Sequence, residues 1–134
     1  MSTLESLLRA QWDPWVLPLA LACEWWALWF ALGRNFQKTA GLVLLANAVS
    51  LGAAWGLEAS GGLGIGGETT WLAWAASAAA VLLANFGLET QVLGFAMRLG
   101  RPSWRWNPYD LCVVLAANVF ALALAGGRLA LAAR

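Results

Sequence analysis

Leu17-Pro18-Leu19-Ala20-Leu21-Ala22-Cys23-Glu24-Trp25-Trp26-Ala27-Leu28-Trp29-Phe30 is an apolar run with a carboxyl group in its middle. An acidic residue at the centre of a membrane helix costs roughly 2.5–3.5 kcal/mol to insert. The rest of the chain must therefore supply a partner for Glu24. The surroundings point to a membrane. Of 134 residues, 61% are hydrophobic and 11% charged, well above the apolar share of an ordinary soluble domain. Several apolar runs reach the 17–25 residues that cross a bilayer.

The fold class expected is all-α: a polytopic integral membrane protein of four transmembrane helices, arranged as two tandem helical hairpins. Residues 1–13 form an interfacial N-terminal segment, with Leu4, Leu7, Leu8 and Trp12 on one helical face. Asp13-Pro14 supplies a cap and a first-turn proline, a helix start. The first hairpin is 14–57, two helices joined by the polar turn Gly33–Lys38. Residues 58–69 hold five glycines and read as a flexible loop. The second hairpin is 70–127, turning at Gly100–Asn107. Its first helix, about Thr70 to Leu99, exceeds a perpendicular span and implies tilt or protrusion. Its second ends near Ala125, where Gly126-Gly127 loosens it, and 128–134 is a short tail that can continue as frayed helix.

The two hairpins read as an internal repeat. A shift of 65 residues lays Glu24, Leu28 and Phe30 on Glu89, Leu93 and Phe95. A shift of 71 lays Val43, Asn47 and Gly56 on Val114, Asn118 and Gly127. Each unit has an even number of spans, so the copies enter the membrane the same way, related by a pseudo-two-fold along its normal.

Depth follows from counting. Glu24 and Asn47 average to position 35.5, inside the first turn; Glu89 and Asn118 average to 103.5, inside the second. At 1.5 Å per residue each lies roughly 17–22 Å from its turn, level with its partner. Asn carries both a donor and an acceptor, so it suits either protonation state of a carboxyl. The candidate proton, cation or polar-pair site is thus Glu24, Asn47, Glu89 and Asn118. Asn85 lies one turn from Glu89, and Ser50 one turn from Asn47.

A structural clamp is one reading of these pairs. Hydrogen bonds in membranes average well under 1 kcal/mol, with a maximum near ~1.7. That is less than the insertion cost of the acid, and Gln would clamp equally well, so a midplane proton or cation site is the sharper reading. Trp25 and Trp29, a turn apart beside Glu24, are candidates for an aromatic wall facing an organic cation; ordinary packing is the plainer role. The logic of four spans, a glutamate in the first and nearby tryptophans resembles that of small proton-coupled multidrug transporters. It is an analogy of architecture only, since the two-hairpin repeat is a different arrangement.

Composition also excludes. The chain has no histidine and a net charge of +1, so neither imidazole chemistry nor nucleic acid is expected. No metal site or cofactor is implied. Cys23 and Cys112 sit at different depths and are not expected to pair. The first residues carry Glu5, Arg9 and Asp13 rather than a basic leader, so no signal peptide is read.

Five basic residues flank the two turns (Arg34, Lys38, Arg98, Arg101, Arg105), against Arg9, Arg128 and Arg134 at the other end. This places the turns in the cytoplasm and both termini outside an inner or plasma membrane. Besides the lipid bilayer, the expected partner is a second copy, giving a dimer, or another membrane subunit, because four helices make a thin wall. The leading function is a small transporter or proton- or cation-coupled carrier. The alternatives are a non-transporting structural or assembly subunit, and a lipid- or quinone-modifying enzyme.

Overall fold

The computed structural model describes residues 3–32, 35–59 and 70–132. Among these the chain is all-helical: α1 Thr3–Ala10, α2 Val16–Leu32, α3 Phe36–Ala59, α4 Trp71–Gly100 and α5 Pro108–Ala132. Gly33 and Arg34 of the first turn, 60–69 of the glycine-rich segment, and Arg134 lie outside the described residues. Three helices, α3, α4 and α5, are long and apolar enough to cross a membrane, consistent with a membrane protein. α2 is equally apolar but has 17 residues. At 1.5 Å per residue it is about 25 Å long, against about 45 Å for α4.

Local chemistry sets the helix boundaries. Asp13 Oδ1 accepts from the Trp15 amide at 2.9 Å, and the Leu17 amide reaches the Asp13 carbonyl, so α2 begins at Val16 rather than at Pro14. Asn35 caps α3 by accepting from the amides of Gln37 and Lys38. Asn107 caps α5: its Oδ1 accepts from the Asp110 amide, and its Nδ2 donates to Asp110 Oδ2, both at 2.8 Å. With Pro108 at the first helical position, this is a reciprocal capping arrangement. Thr70 caps α4 through the Ala73 amide.

α5 runs through Gly126-Gly127 to Ala132, so the tail extends the helix. Each glycine costs about 1 kcal/mol against alanine in a helix, but in apolar surroundings an unpaired backbone group costs more.

Helices α2, α3, α4 and α5 form a ring in that order, α5 closing back on α2, so α2 and α4 stand on a diagonal. The most extensive seam joins α2 to α5, across the two helical pairs rather than within one. Each helix turns one narrow stripe inward, at four-residue spacing: Val16, Ala20, Glu24 and Leu28 on α2, and Ser77, Val81, Glu89, Leu93 and Met97 on α4. The central core is Leu28, Val43, Ala46, Leu93 and Val114. Outward faces are apolar, with Trp26, Phe30, Leu44, Leu83 and Phe95 exposed, as expected of helices solvated by lipid.

α1 packs inward: Leu4 and Leu7 are buried and the helix sits on α4 and α5. A second small core of Ala10, Val16 and Ala125 forms beneath it, flanked by Leu124 and Leu129. An ion pair from Arg128 Nε to Asp13 Oδ2, 2.9 Å, ties the segment after α1 to the end of α5.

Candidate functional site

The inward stripes of α2 and α4 place Glu24 and Glu89 in the bundle interior, each 4% exposed. The Asn47 amide of α3 donates to Glu24 Oε2. The Asn118 amide of α5 donates to Glu89 Oε2 at 2.6 Å. Both asparagines also donate from Nδ2 to the carbonyl one turn earlier in their own helix, Val43 and Val114, each at 3.1 Å. Each amide is therefore fixed by its own backbone before it meets the carboxyl group. The two pairs lie in the same bundle interior, on the diagonally opposed helices α2 and α4.

Asn118 is buried like its glutamate, whereas Asn47 is half-buried. Asn47 borders a surface groove between α2 and α3, with Leu21, Leu44 and Leu51. The first pair is thus the one with an edge toward the bundle exterior.

Ser50 and Asn85 do not contact a carboxyl group. Ser50 Oγ donates to the Asn47 carbonyl at 3.1 Å. Asn85 Nδ2 turns away from Glu89 and donates to Gln11 Oε1 at 3.3 Å. What they share is a cavity of about 150 Å3 between α1, α3 and α4, lined by Leu4, Leu8, Ala53, Ala80 and Leu88 as well. Its two amide and hydroxyl groups each stand one turn from a member of a Glu–Asn pair. Gln11 was not singled out in the sequence; no periodic signal marks it, because its partner lies 74 residues away.

Trp25 and Trp29 are gathered at the α2–α3 turn. Trp25 Nε1 donates to the Phe36 carbonyl at 2.9 Å, with ring centroids 4.0 Å apart, and Trp29 meets the same phenyl ring edge-on at 5.6 Å. Phe36 is the residue that organises them. Cys23 and Cys112 are both free thiols.

Chemically, the arrangement presents two carboxyl groups in an apolar interior, each accepting one amide N–H. Such a bond can be made to a carboxylate or to the unprotonated oxygen of a carboxylic acid. Comparison of this chain with protein-family models, with curated proteins and with solved structures returns no match.

Proposed function

We propose that the protein is a small membrane transporter, a proton- or cation-coupled carrier, in which Glu24 and Glu89 bind and release the coupling ion. Asn47 and Asn118 orient the two carboxyl groups. One observation carries this reading: two carboxyl groups from diagonally opposed helices are buried in one apolar bundle interior, each held by an amide. An apolar interior disfavours a bare charge at either group, so a bound proton or cation is what lets each carboxyl group remain there.

In this reading α2 spans alongside α3, α4 and α5, at the short limit for a span. The four helices are two copies of one hairpin. Residues related by the two shifts support the duplication: Leu28 with Leu93, and Val43 with Val114, lie in one core cluster. The turns face the cytoplasm, following the basic residues. The groove bordered by Asn47 and the cavity bounded by Ser50 and Asn85 are the openings beside the two pairs.

The second reading, a non-transporting assembly subunit, draws on the sealing of both glutamates at 4% exposure. Proteoliposomes carrying an internal pH indicator separate the two. The wild type should collapse an imposed pH or cation gradient, and the Glu24→Gln/Glu89→Gln protein should not, while still folding, because Gln accepts the same amide bond. Equal flux from both proteins, or none from the wild type, refutes the carrier.

A further inference from the structure

Where α4 ends, the chain builds a cationic pocket that the carboxyl pairs do not use. A cavity of about 500 Å3 is lined by Arg98, Pro102, Trp104, Arg105 and Trp106. Two guanidinium groups and two indoles line it, and no acid does. The indoles pack edge to face, centroids 4.8 Å apart, which fixes one wall.

Gly94 lies behind Trp106 and Arg98 on α4. A β-carbon at this buried glycine would come within 2.9 Å of Trp106 Nε1 and 3.2 Å of Arg98 Nη2. The absence of a side chain is what lets both groups lie against α4. Arg98 Nε donates to the Gly94 carbonyl at 3.1 Å, which fixes the guanidinium plane and leaves its Nη edge for something else. Neither Arg98 nor Arg105 has a carboxylate partner among the described residues. Trp106 Nε1 likewise meets no acceptor among them.

We propose that this pocket binds the phosphate of an anionic phospholipid headgroup. Guanidinium groups take phosphate oxygens in paired hydrogen bonds, and indole N–H adds a donor of the same kind. The location selects the source. The pocket lies at the end of a 30-residue apolar helix, where indole rings prefer headgroup depth. Positive charge there meets the anionic lipids of the cytoplasmic leaflet. A phosphocholine lipid brings its own cation beside its phosphate, so two guanidinium groups favour it less. The proposal rests on the membrane reading and not on transport: a protein that moves no ion could still hold this lipid.

The test is lipid retention by the whole chain in neutral detergent micelles, read by native mass spectrometry, with equal additions of phosphatidylglycerol and phosphatidylcholine. The wild type should keep phosphatidylglycerol preferentially. Arg98→Gln and Arg105→Gln should each weaken retention roughly fivefold. Arg101→Gln, whose side chain does not line the cavity, should change it less than about twofold. Arg105 is exposed and bonded to no described residue, so its variant remains decisive if Arg98→Gln fails to fold. Three results would overturn the proposal: equal retention of the two lipids, an equal loss from Arg101→Gln (diffuse surface charge), or full displacement of lipid by millimolar inorganic phosphate (a soluble anion as the true occupant).

Discussion

Asn118 donates both hydrogens of its amide: one to Glu89 Oε2 at 2.6 Å, one to the Val114 carbonyl at 3.1 Å. The side chain is thus anchored to its own helix while it serves another. Asn47 repeats this with Val43 and Glu24. Anchoring removes rotamer freedom beforehand, so less entropy is lost when the carboxyl group is bound.

Removing one donor should therefore be costly. Asn118→Leu leaves Glu89 in the apolar interior without its amide, and unfolding stability in detergent should fall by roughly 1–3 kcal/mol. Adding Glu89→Leu to the same protein should recover part of that loss, because both polar partners are then gone. A double-mutant cycle by thermal denaturation measures this, and strict additivity of the two losses would show that the pair is not coupled.

Two glycines on α4 should respond oppositely to the same change. Gly94→Ala forces the Trp106 indole and Arg98 aside and should cost about 1–3 kcal/mol, as overpacking does. Gly87→Ala meets nothing within 4 Å and should be neutral or stabilising, by up to about 1 kcal/mol. Near-ultraviolet circular dichroism should change for the first variant alone.

The link between Asp13 and Arg128 predicts an acid limit. The Trp15 amide, then the Arg128 guanidinium, hold the Asp13 carboxyl below its ordinary value of 3.8. A group whose folded value is depressed stabilises the fold above its unfolded value and loses that contribution as pH falls through the folded one. Asp13→Asn should thus lower the melting temperature by a constant margin above about pH 4. The margin should close below it. Limited proteolysis at the α1–α2 junction should follow the same curve.

Capping should matter at the second turn. Asn107→Ala removes the acceptor for the Asp110 amide and the donor to its carboxylate. The expected loss is about 1 kcal/mol. Asn107→Ser should restore most of it, since serine can still accept from the Asp110 amide.

The helical class is legible because apolar runs this long have few other solutions. The equal distance of Glu24 and Asn47 from their turn is likewise visible as arithmetic. What arithmetic cannot give is side-chain direction at that depth. Asn85 stands one turn from Glu89 yet bonds Gln11, and Trp25 bonds Phe36 of the next helix. These choices depend on which segment arrives from elsewhere in the chain, and local spacing carries no record of that. The burial of Leu7 under α1 is hidden for the same reason. An amphipathic helix looks identical whether its apolar face meets lipid or protein, and only the docking of α1 on α4 and α5 decides it.

The separation within each pair bears on how the chain is made. Asn47 follows Glu24 by 23 residues and Asn118 follows Glu89 by 29. At a synthesis rate of about 5–20 residues per second, each acid waits only roughly 1–6 s before its amide emerges from the ribosome. The seam between α2 and α5, by contrast, cannot close until nearly the whole chain has been translated. Each glutamate can therefore be hydrogen-bonded by its own neighbour during insertion, well before the bundle that encloses them both exists.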